Sequence, residues 1–201
     1  MNKKTKIAVF VSGGGTNLQA LIDAAKRGEI PSGEIALVLA SNDKAYALTR
    51  AAENNIPSAV VKRKDYESQI AYEEAVKAVL AENGIDMIVL AGFMTILSEN
   101  FTSAYPTRIV HVHPSLIPSF CGEGFYGLRV HEAALEYGVK VTGATVHYVN
   151  EIPDGGEIIL QKAVEILEGD TAEVLQKRVM EQAEWILLPQ AVELVAKKLQ
   201  A

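Results

Sequence analysis

The chain alternates short apolar runs with longer stretches in which hydrophobic residues recur at helical spacing. A continuous apolar run of about four to eight residues, bounded by turn residues, is typical of a buried strand, and apolar residues three and four apart indicate an amphipathic helix. Their alternation predicts a parallel sheet covered by helices on both faces. In the first half of the chain we expect strands at 6–11, 35–40, 58–61 and 85–91, and helices at 17–27, 44–54 and 66–82.

The second half of the chain is less regular. We expect strands at 108–112, 141–149 and 157–166, and helices at 130–137 and 171–199, the last one broken near Pro189. The complete pattern predicts a Rossmann-like α/β fold with a doubly wound, mostly parallel sheet in a single domain, 1–201. A phosphate-binding half, 1–92, would precede a second half, 93–201, that carries the candidate catalytic residues.

Composition and charge narrow the class of protein. With 49% hydrophobic and 22% charged residues, the 201-residue chain has an ordinary globular composition. Its single cysteine, Cys121, excludes an intrachain disulfide, and no apolar stretch approaches the roughly 20 residues of a membrane span. We therefore expect a cytoplasmic protein without a membrane partner. The formal charge of −6 argues against a nucleic-acid partner, because such binding needs a basic surface.

A glycine-rich turn, 12–17, follows the first predicted strand and precedes the first predicted helix. Backbone N–H groups at the start of a helix, together with the helix dipole, bind phosphate. The spacing of the glycines matches neither the P-loop nor the dinucleotide-binding fingerprint. The turn is therefore either a cradle for a single phosphate or a tight connection that binds nothing.

A second candidate site combines two histidines with a distant aspartate. His111 and His113 lie two apart on a predicted strand, so both face the same side near its carboxyl end, where open α/β sheets bind ligands. Asp154 lies in a Pro-Asp-Gly-Gly turn before a later strand. A histidine beside an aspartate forms a general acid/base pair. Two metal ligands are the alternative, although no third His or Cys falls at a suitable spacing. Cys121 has no neighbour in sequence that would activate it as a nucleophile.

Five stretches together form a recognisable pattern. In their order and spacing, the chain resembles the phosphoribosylglycinamide formyltransferases of purine biosynthesis along nearly its whole length. The His-Pro-Ser-Leu and Asp-Gly-Gly elements alone would mark only the wider formyltransferase superfamily, but the glycine-rich turn and the chain length favour the purine enzymes. The matching stretches are 11–20, 90–98, 113–118, 143–149 and 154–161.

The resemblance implies transfer of a formyl group from the co-substrate 10-formyltetrahydrofolate to the amine of glycinamide ribonucleotide, without a metal. It implies a monomer or homodimer, and a second half of the chain that binds folate and carries out catalysis. It assigns catalysis to His113 and Asp154. The other implied contacts are the phosphate site at Gly15, Thr16 and Asn17, the ribose site at Glu184, and the pterin pocket at Met94, Thr95, Leu97, Val149 and Asn150.

The sequence departs from this family pattern at one catalytic position. The family has Asn-x-His-Pro, whereas this chain has His111 at the place of the Asn. An amide there would donate a hydrogen bond to the formyl oxygen as charge develops, and loss of one such donor costs about 10²–10³-fold in rate. A charged His111 would also donate, but neighbouring histidines resist being protonated together. We therefore expect the fold and ligand sites with reduced activity. The alternatives are a catalytically silent nucleotide- or folate-binding relative and a formyltetrahydrofolate hydrolase.

A second departure is the loop 119–128, which is several residues longer than in shorter family members and is rich in glycine and aromatic residues. It is either a mobile flap over the site or an ordered surface loop without a role.

Overall fold

The computed structural model describes residues 3–201, and its strands are β1 (Thr5–Val11), β2 (Gly33–Ala40), β3 (Ser58–Val60), β4 (Met87–Leu90), β5 (Ile109–His113), β6 (Val141–Tyr148) and β7 (Ile158–Glu165). Within these residues all seven strands join one sheet in the order β3-β2-β1-β4-β5-β6-β7. Neighbouring strands are parallel from β3 to β5, whereas β6 is antiparallel to both β5 and β7. The predicted mostly parallel α/β sheet is confirmed.

Helices cover both faces of this sheet. They are α1 (Thr16–Lys26), α2 (Ala47–Glu53), α3 (Gln69–Glu82), α4 (Glu99–Thr102), α5 (Leu128–Tyr137), α6 (Ala172–Val179) and α7 (Trp185–Lys198). A short 3-10 turn at Arg63–Asp65 precedes α3, and a π turn at Met180–Glu184 joins α6 to α7. In residues 3–201 none of these helices combines the length and the apolar character that crossing a membrane requires.

The central strand β1 is apolar at every position from Ile7 to Val11, and its place in the sheet explains why. Val9 and Val11 pack on one face of the sheet, in the same cluster as the buried residues of α1 and α7. Ala8 and Phe10 point to the other face and pack with the buried residues of α3. Successive side chains of a strand point to opposite faces, so a strand covered on both sides needs apolar residues at every position.

Several helix boundaries differ from the sequence prediction, and α4 was not predicted; two of the differences have a local cause. The helix expected at 66–82 begins at Gln69, because Ser68 is its N-cap and accepts a hydrogen bond from the Ala71 N–H at 3.1 Å. The break expected near Pro189 lies earlier, at Met180–Glu184, and Pro189 is inside α7. A proline lacks the N–H of a helical hydrogen bond and crowds the turn before it. The wide π turn lies directly ahead of that crowded turn.

Gly143 is required where β6 passes close to β7. A Cβ at this position would lie 2.0 Å from the Lys162 carbonyl oxygen and 2.9 Å from Leu116 Cδ2. The carbonyl belongs to the paired strand, so relief of the clash would separate β6 from β7. We expect Gly143→Ala to lower the free energy of unfolding by at least about 1–3 kcal/mol. Urea denaturation followed by the fluorescence of Trp185 measures it.

Gly14→Ala is the matched control, since no described atom lies within 4 Å of the added Cβ. Its free energy of unfolding should stay within about 0.5 kcal/mol of the parent value. Equal stabilities of the two variants would contradict the close approach of β6 and β7.

Candidate active site

A cleft of about 890 Å³ opens at the carboxyl ends of β1, β4 and β5. The strand order reverses here, because β1 pairs with β2 on one side and with β4 on the other. Loops diverge at such a switch point and leave a crevice for ligands. The glycine-rich turn, both histidines of β5, Asp154 and Glu184 all line this cleft. The topology therefore brings together segments that are more than 100 residues apart in the sequence.

The glycine-rich turn connects β1 to α1 and exposes the start of that helix to the cleft. Gly15 is the N-cap in a left-handed conformation with φ 72°. A Cβ there would lie 2.7 Å from the Cβ of Ala47, so only glycine fits. Because glycine has no side chain that could cap the helix, the first N–H groups of α1 stay available to an anion. Gly15, Thr16 and Asn17 all border the cleft.

Asn17 and Glu184 form a buried pair at the edge of this cradle. Asn17 Nδ2 donates a hydrogen bond of 2.8 Å to Glu184 Oε2. Burial raises the pKa of Glu184 to about 7, although the hydrogen bond from Asn17 acts in the opposite direction. Asn17 Oδ1 is buried and accepts no hydrogen bond from any described residue. The pair therefore offers acceptor oxygens to a ligand beside the helix start.

Three histidines surround the carboxylate of Asp154. His113 Nδ1 lies 3.4 Å from Asp154 Oδ2, and His111 Nε2 lies 3.7 Å from Oδ1. His147 Nε2, which the sequence analysis did not single out, lies 3.4 Å from Oδ1. The Gly122 N–H donates to Oδ2 at 2.8 Å, so the long loop also contacts the carboxylate.

The turn that carries Asp154 lies close against the end of β6. Asp154 itself has a left-handed backbone conformation with φ 56°. A Cβ at Gly156 would lie 1.7 Å from the carbonyl oxygen of Tyr148, so this turn requires glycine. This tight return positions the carboxylate above the histidines of β5 and β6.

Backbone carbonyls determine which nitrogen of each ring carries a proton. His113 Nε2 lies 2.9 Å from the Phe120 oxygen, His111 Nδ1 lies 3.2 Å from the Leu90 oxygen, and His147 Nδ1 lies 2.7 Å from the Tyr148 oxygen. A carbonyl oxygen only accepts, so each of these nitrogens is the donor. In the neutral form, every ring therefore directs its other, unprotonated nitrogen at Asp154.

Burial also determines the charge of the cluster. Burial, together with the charge of His147, lowers the pKa of His111 to about 4, although Asp154 opposes this. Burial also lowers the pKa of His113, against the effect of Asp154. For Asp154, burial alone would raise the pKa, but His147, His113 and the Gly122 N–H together hold it well below its usual range. Near neutral pH the carboxylate is ionised and His111 is neutral.

A smaller pocket of about 130 Å³ adjoins the cleft. His111 and Asp154 line both cavities, so the cluster lies where they meet. All five residues of the predicted pterin pocket line this smaller pocket. They come from two segments of the chain: Met94, Thr95 and Leu97 follow β4, and Val149 and Asn150 follow β6.

The long loop 119–128 lies over the same region. Residues 122–127 line the cleft, and Phe120 accepts the hydrogen bond from His113. The loop is thus part of the cleft wall, and its role as a flap stays a prediction.

His147 was not predicted because its position depends on a contact between distant strands. It pairs with His111 across the antiparallel β5 and β6. The alternation along 141–149 predicts a strand but not its direction or partner. A prediction that β6 pairs with β5 would have placed His147 beside His111 and so in the site.

The fold and site are those of an α/β enzyme with two adjoining cavities at one edge of its sheet. Residues 5–192 match the sequence model described as formyl transferase, and the chain belongs to the formyl transferase family. The resemblance inferred from the sequence is thereby confirmed.

The chain is also similar to individual members of this family. The chain is 42% identical to phosphoribosylglycinamide formyltransferase of Haemophilus influenzae, over 88% of this chain and 81% of that protein. It is 43% identical to the human trifunctional purine biosynthetic protein adenosine-3, over 96% of this chain but only 18% of that protein. The chain thus spans less than a fifth of the trifunctional relatives. The crystal structure of glycinamide ribonucleotide transformylase 1 from Symbiobacterium toebii matches with a TM-score of 0.90 and 39% identity, over 97% of this chain and 89% of that one.

The buried Glu184 makes stability depend on pH in a defined direction. Its pKa is about 7 in the folded chain, against 4.5 for an ordinary glutamate. Between these values the folded state binds more protons than the unfolded state, so this group lowers the free energy of unfolding as the pH rises. Glu184→Gln removes the titration and keeps an acceptor for Asn17. We expect the stability difference between variant and parent to shift in favour of the variant by on the order of 3 kcal/mol between pH 4.5 and 8.

Urea denaturation at a series of pH values measures this difference. Glu181→Gln, on the same π turn with a side chain that is 47% exposed, is the matched control. Parallel stability curves for Glu184→Gln and the parent would show that the buried carboxyl does not titrate as described.

Proposed function

We propose that the chain transfers a formyl group from 10-formyltetrahydrofolate to the primary amine of glycinamide ribonucleotide. The observation that carries this proposal is the position of the Asp154 cluster, where a cleft with an anion cradle meets a second pocket. Two ligands bound in these cavities would have their reacting groups beside the cluster. The similarity to a phosphoribosylglycinamide formyltransferase and a glycinamide ribonucleotide transformylase supports formyl transfer to this nucleotide. A cytoplasmic location and a monomeric or homodimeric state stay predictions.

The nucleotide would bind in the cleft. Backbone N–H groups of Gly15, Thr16 and Asn17 would hold the 5′-phosphate at the start of α1. The acceptor oxygens of Glu184 and Asn17 would bind the ribose hydroxyls, which satisfies the buried Asn17 Oδ1. A neutral cradle of this kind does not depend on the net charge of the chain.

The folate would bind with its pterin in the smaller pocket, between Met94, Thr95 and Leu97 on one side and Val149 and Asn150 on the other. Its formyl group would then point toward His111 and Asp154, because these two residues line both cavities. Bringing amine and formyl carbon together converts a bimolecular step into an effectively unimolecular one.

The reaction requires proton movement around Asp154. The amine attacks the formyl carbon, a C–N bond forms, and the bond from that carbon to N10 of the folate breaks. The ionised Asp154 would accept the amine proton, directly or through a water molecule. Burial lowers the pKa of His113, and Asp154 acts in the opposite direction. The ring would therefore become charged as the oxyanion forms beside it, stabilise that oxyanion and pass a proton to the departing N10.

The loop 119–128 would take part in this step. His113 Nε2–H donates to the Phe120 carbonyl, so the ring must give up this bond before that N–H can reach the formyl oxygen. This contact supports a flap that opens over the reacting groups. The argument for a flap thus comes from the hydrogen bond to the Phe120 carbonyl and not only from the length of the loop.

Asp154→Asn tests the proposed proton acceptor. We expect kcat to fall by about 10²–10⁴-fold, since the amide is not a base. The dissociation constants of both substrates should change little in calorimetry. Asp43→Asn, an exposed carboxylate paired with Lys62, should leave kcat unchanged. A large loss of substrate affinity in Asp154→Asn would instead make Asp154 a binding residue.

His111→Asn tests the departure from the family pattern. Neutral His111 presents no N–H toward the cluster, because its only proton is on Nδ1, bonded to Leu90. An amide in its place supplies a donor for the oxyanion, so we expect kcat to rise by as much as about 10²-fold. Formyl-transfer kinetics with a metal chelator present measure it. Equal rates for the parent and the variant would show that His111 already performs the role of the amide.

A further inference from the structure

The cluster around Asp154 is unusually rich in unshared electron pairs. Each of its three histidines donates its far N–H to a backbone carbonyl and, when neutral, directs a lone pair at one carboxylate. His147 Nε2 is 2% exposed in its side chain and has no hydrogen-bond partner among residues 3–201. A buried lone pair that faces an anion costs free energy unless a proton or another cation lies between them.

The distances within the cluster are longer than hydrogen bonds. The nitrogen–oxygen separations are 3.4, 3.4 and 3.7 Å. Charge-assisted hydrogen bonds between nitrogen and oxygen are about 2.7–2.9 Å long. Two ligand atoms on a tetrahedral ion with bonds of about 2.0–2.1 Å lie about 3.3–3.4 Å apart. The separation of 3.4 Å between His113 Nδ1 and Asp154 Oδ2 therefore fits two ligands of one cation, and the separation of 3.7 Å between His111 Nε2 and Oδ1 exceeds that value by only about 0.3–0.4 Å.

The orientation of the rings points to the same conclusion. Histidines that bind a metal almost always donate their other N–H to a carboxylate, a carbonyl or water, which fixes the tautomer. In this chain Leu90 and Phe120 supply those carbonyls to His111 and His113.

We propose that His111 Nε2, His113 Nδ1 and a carboxylate oxygen of Asp154 form a binding site for a divalent transition-metal ion of the zinc class. These three atoms lie within 4.8 Å of one another. Two imidazoles and one carboxylate are donors that zinc accepts in open, three-ligand sites. Magnesium and calcium prefer oxygen ligands alone, so the site selects against them. All three residues line the cleft, so an ion held there would be open to a ligand from solvent.

This site goes beyond the proposed formyl transfer and does not depend on it. An ion bound here occupies the Asp154 oxygen that would accept the amine proton, and it occupies His113 Nδ1, which must carry a proton for that ring to be charged. The metal-bound form and the form that transfers the formyl group are therefore alternative states of one cluster. The metal-bound state depends on His111, because an amide at this position supplies no imidazole lone pair to the ion.

Metal titrations of the full chain, stripped with a chelator, test the site. Calorimetry with Zn²⁺ should give one equivalent bound, and Co²⁺ should give the visible absorption of a four- or five-coordinate ion. His111→Asn should weaken Zn²⁺ binding by at least about 100-fold, the upper end of what loss of an outer-shell partner costs. Cys121→Ser, which removes the only thiol, should leave binding unchanged.

Nitrogen NMR of the histidine rings keeps the test independent of variant folding. In the parent chain, Zn²⁺ should shift the resonances of His111 Nε2 and His113 Nδ1 and leave those of His131 unchanged. His131 is buried at the cleft but lies outside the proposed ligand set. The proposal is overturned by an absence of Zn²⁺ binding, by undiminished binding in a folded His111→Asn, by loss of binding in Cys121→Ser, or by shifts confined to other histidines.

Discussion

The candidate site depends on one constraint, the burial of an ionised aspartate among three histidines. Asp154 is 11% exposed in its side chain, and the Gly122 N–H together with positive charge on the neighbouring rings holds its pKa well below the usual range despite burial. Its left-handed conformation and the return of the chain at Gly156 hold the carboxylate in place. If this carboxylate were displaced, the histidines would lose their common partner. The two cavities would also lose a residue that lines both of them.

The sheet supplies the rest of the geometry. Parallel strands bring the glycine-rich turn and the end of β5 to one edge, and the antiparallel β6 adds His147 beside His111. The same edge therefore holds the glycine-rich turn, the Asp154 cluster and a second pocket. In the proposed reaction these parts bind two substrates and exchange protons between them. In the metal-bound state the same lone pairs would be occupied, so one cluster of atoms accounts for both proposals.

Much of this architecture was predictable from local patterns, and the exceptions have physical causes. Strand β1 and the Gly15 turn follow from apolar runs and glycine spacing, which are local properties. The position of His147 in the cluster depends on pairing between β5 and β6, which the sequence pattern does not reveal. The helix break was predicted near Pro189 but lies at the π turn that contains Glu184, because a proline disturbs the helical turn before it. The pKa values depend on burial and on neighbours brought together by the fold.

The fate of the formyl group tests the central claim most directly. The metal-free chain is incubated with glycinamide ribonucleotide and 10-formyltetrahydrofolate that carries ¹³C in its formyl group, and the products are followed by NMR. The account predicts that the label moves to the amine of the nucleotide as tetrahydrofolate is released, and that omission of the nucleotide stops the release. Label appearing as free formate, or remaining on the folate while both ligands bind, would contradict it.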